Sequence, residues 1–453
     1  MSDFFIHSTR CFLNGSFKEA TLYIKGNRIE RIFEGEKRLD SVTFTSYGNK
    51  IMMPGIIDAH VHINEPGRTL WEGFDSATKA AAVGGITTLI EMPLNASPVT
   101  STLPAFKQKK VATKGKLHVN CGFYGGIVPH NTEDIEDLLR FGAFGIKGFL
   151  SHSGIDEFPK VDKKVLSTIA PILKKYDVPL LLHCELEDTD VPEVVDTKSY
   201  QEYLASRPQR WEQNAIDLAI EVQKEFDIKV HVVHLSASDA IDKLIQRKLE
   251  TRKLTVETCP HYVYFNAEEI PDASPIYKCA PPIRGKENNL LLLKGIQTGL
   301  IDFIGSDHSP APPDVKQLES GDFFKAWGGI SGLQFSLPVM NTKCFKEAIA
   351  LEKLIPLLTE NPAKFLGLEN KKGFLKEGFD ADIVVWDDNE IFELKEELIQ
   401  HRHKPTPYLN HKLKGVVKAT FVNGNLVFSE SEIIATNKGE LLERNNKKPY
   451  NHN

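Results

Sequence analysis

Two histidines one residue apart, His60-Val-His62, close the apolar stretch that runs from Pro54 through Gly-Ile-Ile-Asp-Ala. On a β-strand, residues i and i+2 face the same side, so both imidazoles could grip one metal ion. The pattern alone is weak. A chain with 15 histidines holds about half of one such pair by chance. A second pair, His401-Arg-His403, lies in a polar stretch beside Lys404 and Pro405 and reads as solvated surface. His60 and His62 gain weight from three residues that also end apolar runs. His183 follows Pro-Leu-Leu-Leu, His234 closes Val-His-Val-Val-His, and Asp307 closes Asp-Phe-Ile-Gly-Ser-Asp. Imidazole and carboxylate together suit zinc or a similar first-row metal.

Lys147, in Gly145-Ile-Lys-Gly-Phe-Leu150, is the odd member. An ammonium there would repel a metal and be costly to bury unpaired. One reading is a lysine paired with a carboxylate, or exposed. The other is covalent: an amine that takes up carbon dioxide becomes a carbamate, an anionic two-oxygen ligand able to bridge two metals about 3.5–4 Å apart.

These residues need a frame that brings them together. Strand-like runs are expected at 55–62, 87–92, 118–124, 145–150, 179–183, 229–235, 254–258 and 302–306, with helical stretches between them. The clearest helix is 210–226, where Trp211, Ala215, Leu218, Val222 and Phe226 share one face. Another is 71–83, stopped by Gly84-Gly85. Eight strand-then-helix units imply parallel strands and fit a (β/α)8 TIM-like barrel over 54–366, with an open doubly wound sheet as the alternative. Barrel active sites lie at the strands' C-terminal ends, where His62, His183, His234 and Asp307 fall.

The chain's ends read differently. Residues 1–53 and 367–436 carry short alternating segments and Asn-Gly turns such as Asn423-Gly424, a hairpin signal. They predict a small β-sandwich domain built from both ends. The polar stretch 437–453 reads as a mobile tail. A net charge of −6 excludes a basic nucleic-acid footprint. The mean hydropathy is −0.26, and no apolar run approaches the roughly 20 residues of a membrane span. No secretory signal is apparent. Six scattered cysteines without a CxxC pair read as reduced thiols in a cytoplasmic protein.

The quoted segments resemble the amidohydrolase superfamily, in its cyclic-amidase branch. Pro54 to His62 is similar to the first-strand signature, Gly145 to Phe149 to a carboxylated-lysine strand, Glu257-Thr-Cys-Pro-His-Tyr262 to the seventh strand, and Gly305-Ser-Asp-His-Ser-Pro310 to the eighth. Within the branch, Glu65 to Phe74, Gly84 to Pro98, Ser206-Arg-Pro208 with Trp211-Glu212, Gly321 to Ile330 and His403 to Tyr408 resemble the allantoinases. The resemblance spans residues 50–425.

It implies a hydrolase with two divalent ions, zinc foremost, held by His60, His62, N6-carboxylated Lys147, His183, His234 and Asp307. Asp307 would also carry the catalytic proton. It implies an oligomer, often a tetramer, and a small-molecule substrate, allantoin, opened to allantoate. Dihydroorotase and broader hydantoinase or dihydropyrimidinase activities are the alternatives. The dihydroorotases answer their substrate's carboxylate at three positions, which here read Asn64, Leu94 and Ala311. A carboxylate without cationic partners at those places would be costly. Neutral allantoin needs amide-type partners, for which Asn64 and Asn95 are the candidates.

Overall fold

The structure, a computed structural model, describes residues 3–444. Its centre is a ring of eight parallel strands: Ile56–Val61, Ile86–Glu91, Asn120–Phe123 continued by Gly125–Gly126, Ile146–Phe149, Pro179–His183, Lys229–Val232, Leu254–Thr258 and Phe303–Ile304. Helices cover them outside, so nearly every strand residue is buried. That accounts for continuous apolar runs such as Pro-Leu-Leu-Leu rather than alternation. The ring closes where the His62 amide donates to the His308 carbonyl, 2.8 Å, beside a parallel bridge from Val61 to His308. This is the (β/α)8 barrel expected from the eight units.

Register places the chemistry. Lys147 pairs with Leu181 and Phe149 with His183 across neighbouring strands, so Lys147, Phe149 and His183 come to one end of the barrel. The last strand is only Phe303–Ile304, and Gly305 to Asp307 leave the ladder. The helix expected at 210–226 is Gln209–Phe226 and buries Trp211, Ala215, Ile216, Ala219 and Val222. The helix expected from 71 begins only at Phe74. Gly73, at φ 120°, cannot continue a helix backward, and Trp71 lies in the preceding loop.

The strands of both chain ends join one nine-stranded sheet. Ile51–Pro54 lies between Phe4–Leu13 and Ile383–Glu393, with Lys412–Val422 beyond. Phe4 and Phe421 sit on strands three places apart, about 14 Å in a flat sheet. Their rings are 5.7 Å apart, so the sheet curls over its own core of Ile6, Leu22, Ile24, Met52, Ile383 and Phe421, as a sandwich does. At its hairpin Asn423 and Gly424 both have positive φ, 49° and 73°, as a type I′ turn requires.

Two expectations are corrected. Residues 437–444 are not a loose tail. They run along the third barrel strand: Gly439 donates to Leu117, Cys121 to Glu440 and Leu442 to Cys121. These backbone bonds hold a segment whose polar composition gave no sign of them. The rest of the expected tail, 445–453, lies outside the described residues. His401, read as solvated, is fully buried, its ring 5.5 Å from that of His308. The six cysteines are unpaired and buried, and no helix among the described residues is long and apolar enough to cross a membrane.

Candidate metal centre

The barrel's C-terminal end opens into a cavity of about 560 Å³. His60, on the first strand, and His62, just past its end, aim their Nε2 atoms at Asp307 Oδ1, each at 3.2 Å. One ligand atom from each of the three lies within 4.8 Å of the others. Opposite them, His183 Nδ1 and His234 Nε2 are 3.0 Å apart. Lys147 enters the same cavity, 1 % exposed. Its Nζ has no hydrogen-bond partner and sits 4.8 Å over the Phe149 ring.

The backbone is bent to achieve this. His234 has φ 39° and Asp307 φ 45°, left-handed values that cost a residue with a Cβ about 1–3 kcal/mol and persist where surrounding structure enforces them. Both follow the ends of strands and turn their side chains inward.

Further contacts set which ring nitrogen is available. Glu257 holds His60 Nδ1, leaving Nε2 toward Asp307. The other Glu257 oxygen faces His231 Nε2 at 3.3 Å. Glu185 accepts from His183 Nε2 at 2.8 Å, leaving Nδ1 toward His234, and Arg207 holds Glu185 in turn. Asn95 meets His62 Nδ1 at 3.2 Å, and its Oδ1 has no partner. Turning the amide over lets that oxygen accept from Nδ1–H and frees Nε2 as a ligand. Carboxylate or carbonyl contacts behind ligating histidines are the usual means of fixing a metal site.

Charge follows from these contacts. Burial opposes a charged His60, but Glu257 and Asp307 carry its pKa up to about 9. Burial pulls His62 down to about 4. Burial would raise Asp307, yet the facing His60 and His62 hold its carboxyl well below the usual range. Burial lowers Lys147 to about 8 against the pull of Glu257 and Asp307. Four imidazoles, one carboxylate and one partnerless amine facing a common space form a donor set that fits divalent cations, and the orphaned Lys147 Nζ fits a site that completes it with an anion.

Asn95 lines the cavity. Asn64 is not among the residues that line it. It is fully buried at φ 66°; its Nδ2 donates to the Pro310 carbonyl at 3.2 Å, tying two loops together, and its Oδ1 has no partner. Sequence reasoning missed Glu257, Glu185 and Arg207 as site residues. Each stood in or near a quoted motif, but a glutamate two residues from a histidine has nothing distinctive until the fold is known. It also missed the cations of the wall. Arg207, Lys278 and Lys325 all line the cavity. Two are committed, Arg207 to Glu185 and Lys278 to the carbonyls of Phe324 and Ala326, while Lys325 is exposed and only loosely paired with Asp322 at 3.5 Å.

A model of the Amidohydrolase family matches residues 51–427. The chain is 42% identical to the probable allantoinase of Oryza sativa subsp. japonica, covering 95% of this chain and 88% of that one. It is 39% identical to the allantoinase of Arabidopsis thaliana, covering 97% and 90%. Among solved structures, the L-hydantoinase (dihydropyrimidinase) from Arthrobacter aurescens superposes with a TM-score of 0.91 at 30% identity, covering 98% of this chain and all of that one.

Proposed function

Because this chain belongs to the amidohydrolase family, we propose that it is a metal-dependent cyclic amidase that opens the hydantoin ring of allantoin to give allantoate. The carrying observation is the convergence of His60, His62, His183, His234, Asp307 and the partnerless Lys147 on one cavity. Two divalent ions, zinc foremost, would be held there, His60 and His62 on one side, His183 and His234 on the other, with Asp307 beside the first pair. Ions of this kind supply Lewis acidity and make water a better nucleophile near neutral pH.

Lys147 would serve as its carbamate. Its amine lone pair attacks carbon dioxide, the N–C bond forms, and one proton leaves to solvent. The product is an anion where an ammonium would repel cations. A buried amine lowered to about 8 offers far more of the neutral form this step needs than an ordinary lysine does. Asp307, ionised by its histidine neighbours, would take the proton of the attacking water and return it to the departing ring nitrogen.

Allantoin is neutral, and the wall suits a neutral substrate. Leu94 faces the cavity, the Nδ2 of Asn64 is engaged with Pro310, and Arg207 and Lys278 are already engaged. Of the wall's Arg207, Lys278 and Lys325, a dihydroorotate carboxylate would find only the exposed Lys325 loosely held. A broader hydantoinase is the second reading, favoured by the structural likeness to an L-hydantoinase. The buried, unpaired thiols fit a reducing compartment such as the cytoplasm. A homotetramer is the assembly we favour, on the family resemblance, to be checked by sedimentation.

Metal analysis paired with an allantoin-to-allantoate assay tests the reading. Two ions per chain and ring opening are expected. Efficient hydrolysis of dihydroorotate, or of simple hydantoins in preference to allantoin, overturns the substrate assignment.

A further inference from the structure

Between Ile304 and Leu333 the chain forms no helix or strand, yet Phe324 to Gly328 line the cavity. Trp327 is the largest of them. Its ring meets Trp71 edge-on at 4.8 Å, and Nε1 donates to Ser309 Oγ at 3.4 Å. Thus two loops, one after the first barrel strand and one after the eighth, touch beside the site. An irregular segment has few ladder bonds to hold it, so its carbonyls must find other donors.

Two lysines supply them. Lys316, 4 % exposed, donates to Lys278 O at 2.8 Å, to Trp327 O at 3.0 Å and to Gly329 O. Those three bonds use all three ammonium protons. Lys278 Nζ donates to Ala326 O at 2.6 Å and Phe324 O at 3.2 Å, and its backbone carbonyl also accepts from the Gly329 amide at 2.9 Å. Four carbonyls of the segment 324–329 are therefore held by two side chains. Neither ammonium has a carboxylate partner among the described residues. Burying such a group without a counter-ion is unfavourable, so its retention calls for something the carbonyl contacts accomplish.

We propose that Lys278 and Lys316 are positioning residues for substrate binding, which clamp the backbone of 324–329 and thereby fix Trp327 as one wall of the cavity. They act through Trp327 and not on the reacting atoms, so loss of the clamp weakens substrate binding and spares the metal centre. The inference rests on the function proposed above only for the identity of the substrate.

The test uses the full-length, metal-loaded enzyme with Lys278→Met and Lys316→Met. Each variant is expected to raise the KM for allantoin about tenfold, with kcat within threefold of wild type and metal per chain unchanged. Acrylamide should quench tryptophan emission more strongly in each variant than in wild type, and Trp327→Phe should abolish that difference. The quenching needs no substrate, so it decides on the clamp even if the wild type does not open allantoin, a result that would sink the functional reading instead. Lys278→Met, at a partly buried position and losing two bonds, keeps the test available if Lys316→Met does not fold. Unchanged KM and unchanged Trp327-dependent quenching in folded, metal-loaded Lys278→Met would overturn the proposal, as would loss of kcat at constant KM.

Discussion

Lys147 and Lys372 are both buried, 1 % and 2 % exposed, in different parts of the molecule. Lys372, near the seam of barrel and sheet, donates to Asp382 at 2.6 Å and to Asp380 at 2.9 Å. Burial works against its charge, but the two carboxylates win and raise its pKa. Asp382 also accepts from Asn120 of the third barrel strand and from the backbone of Asn423 in the hairpin. Lys372 thus completes a network that joins elements. Lys147 has no such partner, and burial dominates its pKa. A buried ammonium is tolerated when carboxylates surround it. One whose Nζ has no hydrogen-bond partner at all indicates chemistry that the folded chain alone does not complete.

The sharpest separation of the two comes from removing each. Lys147→Ala is expected to lose the metal and at least about a thousandfold in kcat, because a bridging anion is worth several kcal/mol to the site. Compared metal-free, wild type and variant should differ in stability by the cavity left by the Lys147 stem and not by any hydrogen bond of the amine. Short carboxylic acids, added to fill the vacated space, should restore part of the activity. Two bound ions and normal turnover in Lys147→Ala would end the carbamate reading. Asp307→Asn comes next: an amide keeps a ligand oxygen but carries no proton, so kcat should fall about 10²–10⁴-fold with most of the metal retained. Turnover within tenfold of wild type would assign the proton transfer elsewhere.

Lys372→Met should give the opposite pattern. It leaves Asp380 and Asp382 without their cation, and breaking a buried pair from one side costs about 3–5 kcal/mol. Chemical denaturation should register that loss, while kcat per folded, metal-loaded molecule stays within twofold. If Lys372→Met instead lost metal, the seam and the site would be coupled and the contrast with Lys147 would fail.

How far this was legible beforehand depends on the kind of signal. The barrel was readable because each buried strand is an uninterrupted apolar run, and its ends could be placed within about three residues. His60, His62, His183, His234 and Asp307 stood out because a polar residue closing such a run is conspicuous. Glu257, Glu185 and Lys372 did not, because their partners are distant in sequence and common in type. The orientation of Asn64 was not legible either: its left-handed backbone directs Nδ2 onto Pro310, which no spacing reveals. The docked segment 437–444 is held by backbone bonds that side-chain composition does not encode.

The second His-x-His pair extends the comparison to a buried group that stays neutral. His401 donates from Nδ1 to the His403 carbonyl at 2.6 Å, and its Nε2 has no partner. Burial lowers its pKa to about 3, helped by the neighbouring His308 and opposed by Glu72. In the unfolded chain an ordinary histidine titrates near 6.5. Between about pH 6.5 and 3 the unfolded state therefore binds more protons than the folded one. Stability must fall as pH falls through that window, by about 2 kcal/mol at pH 5 for this residue. The same sign does not apply to Lys372, whose raised pKa means that its own titration costs no stability as the pH falls. His401→Phe removes the titrating group and fills the space with a ring of similar size. Denaturation at pH 7 and pH 5 should show wild type losing about 2 kcal/mol more than the variant over that interval, whatever their difference at pH 7. Equal losses would mean that His401 is protonated in the fold, with Glu72 as its counter-ion, and would move it from the uncompensated class of buried groups to the class of Lys372.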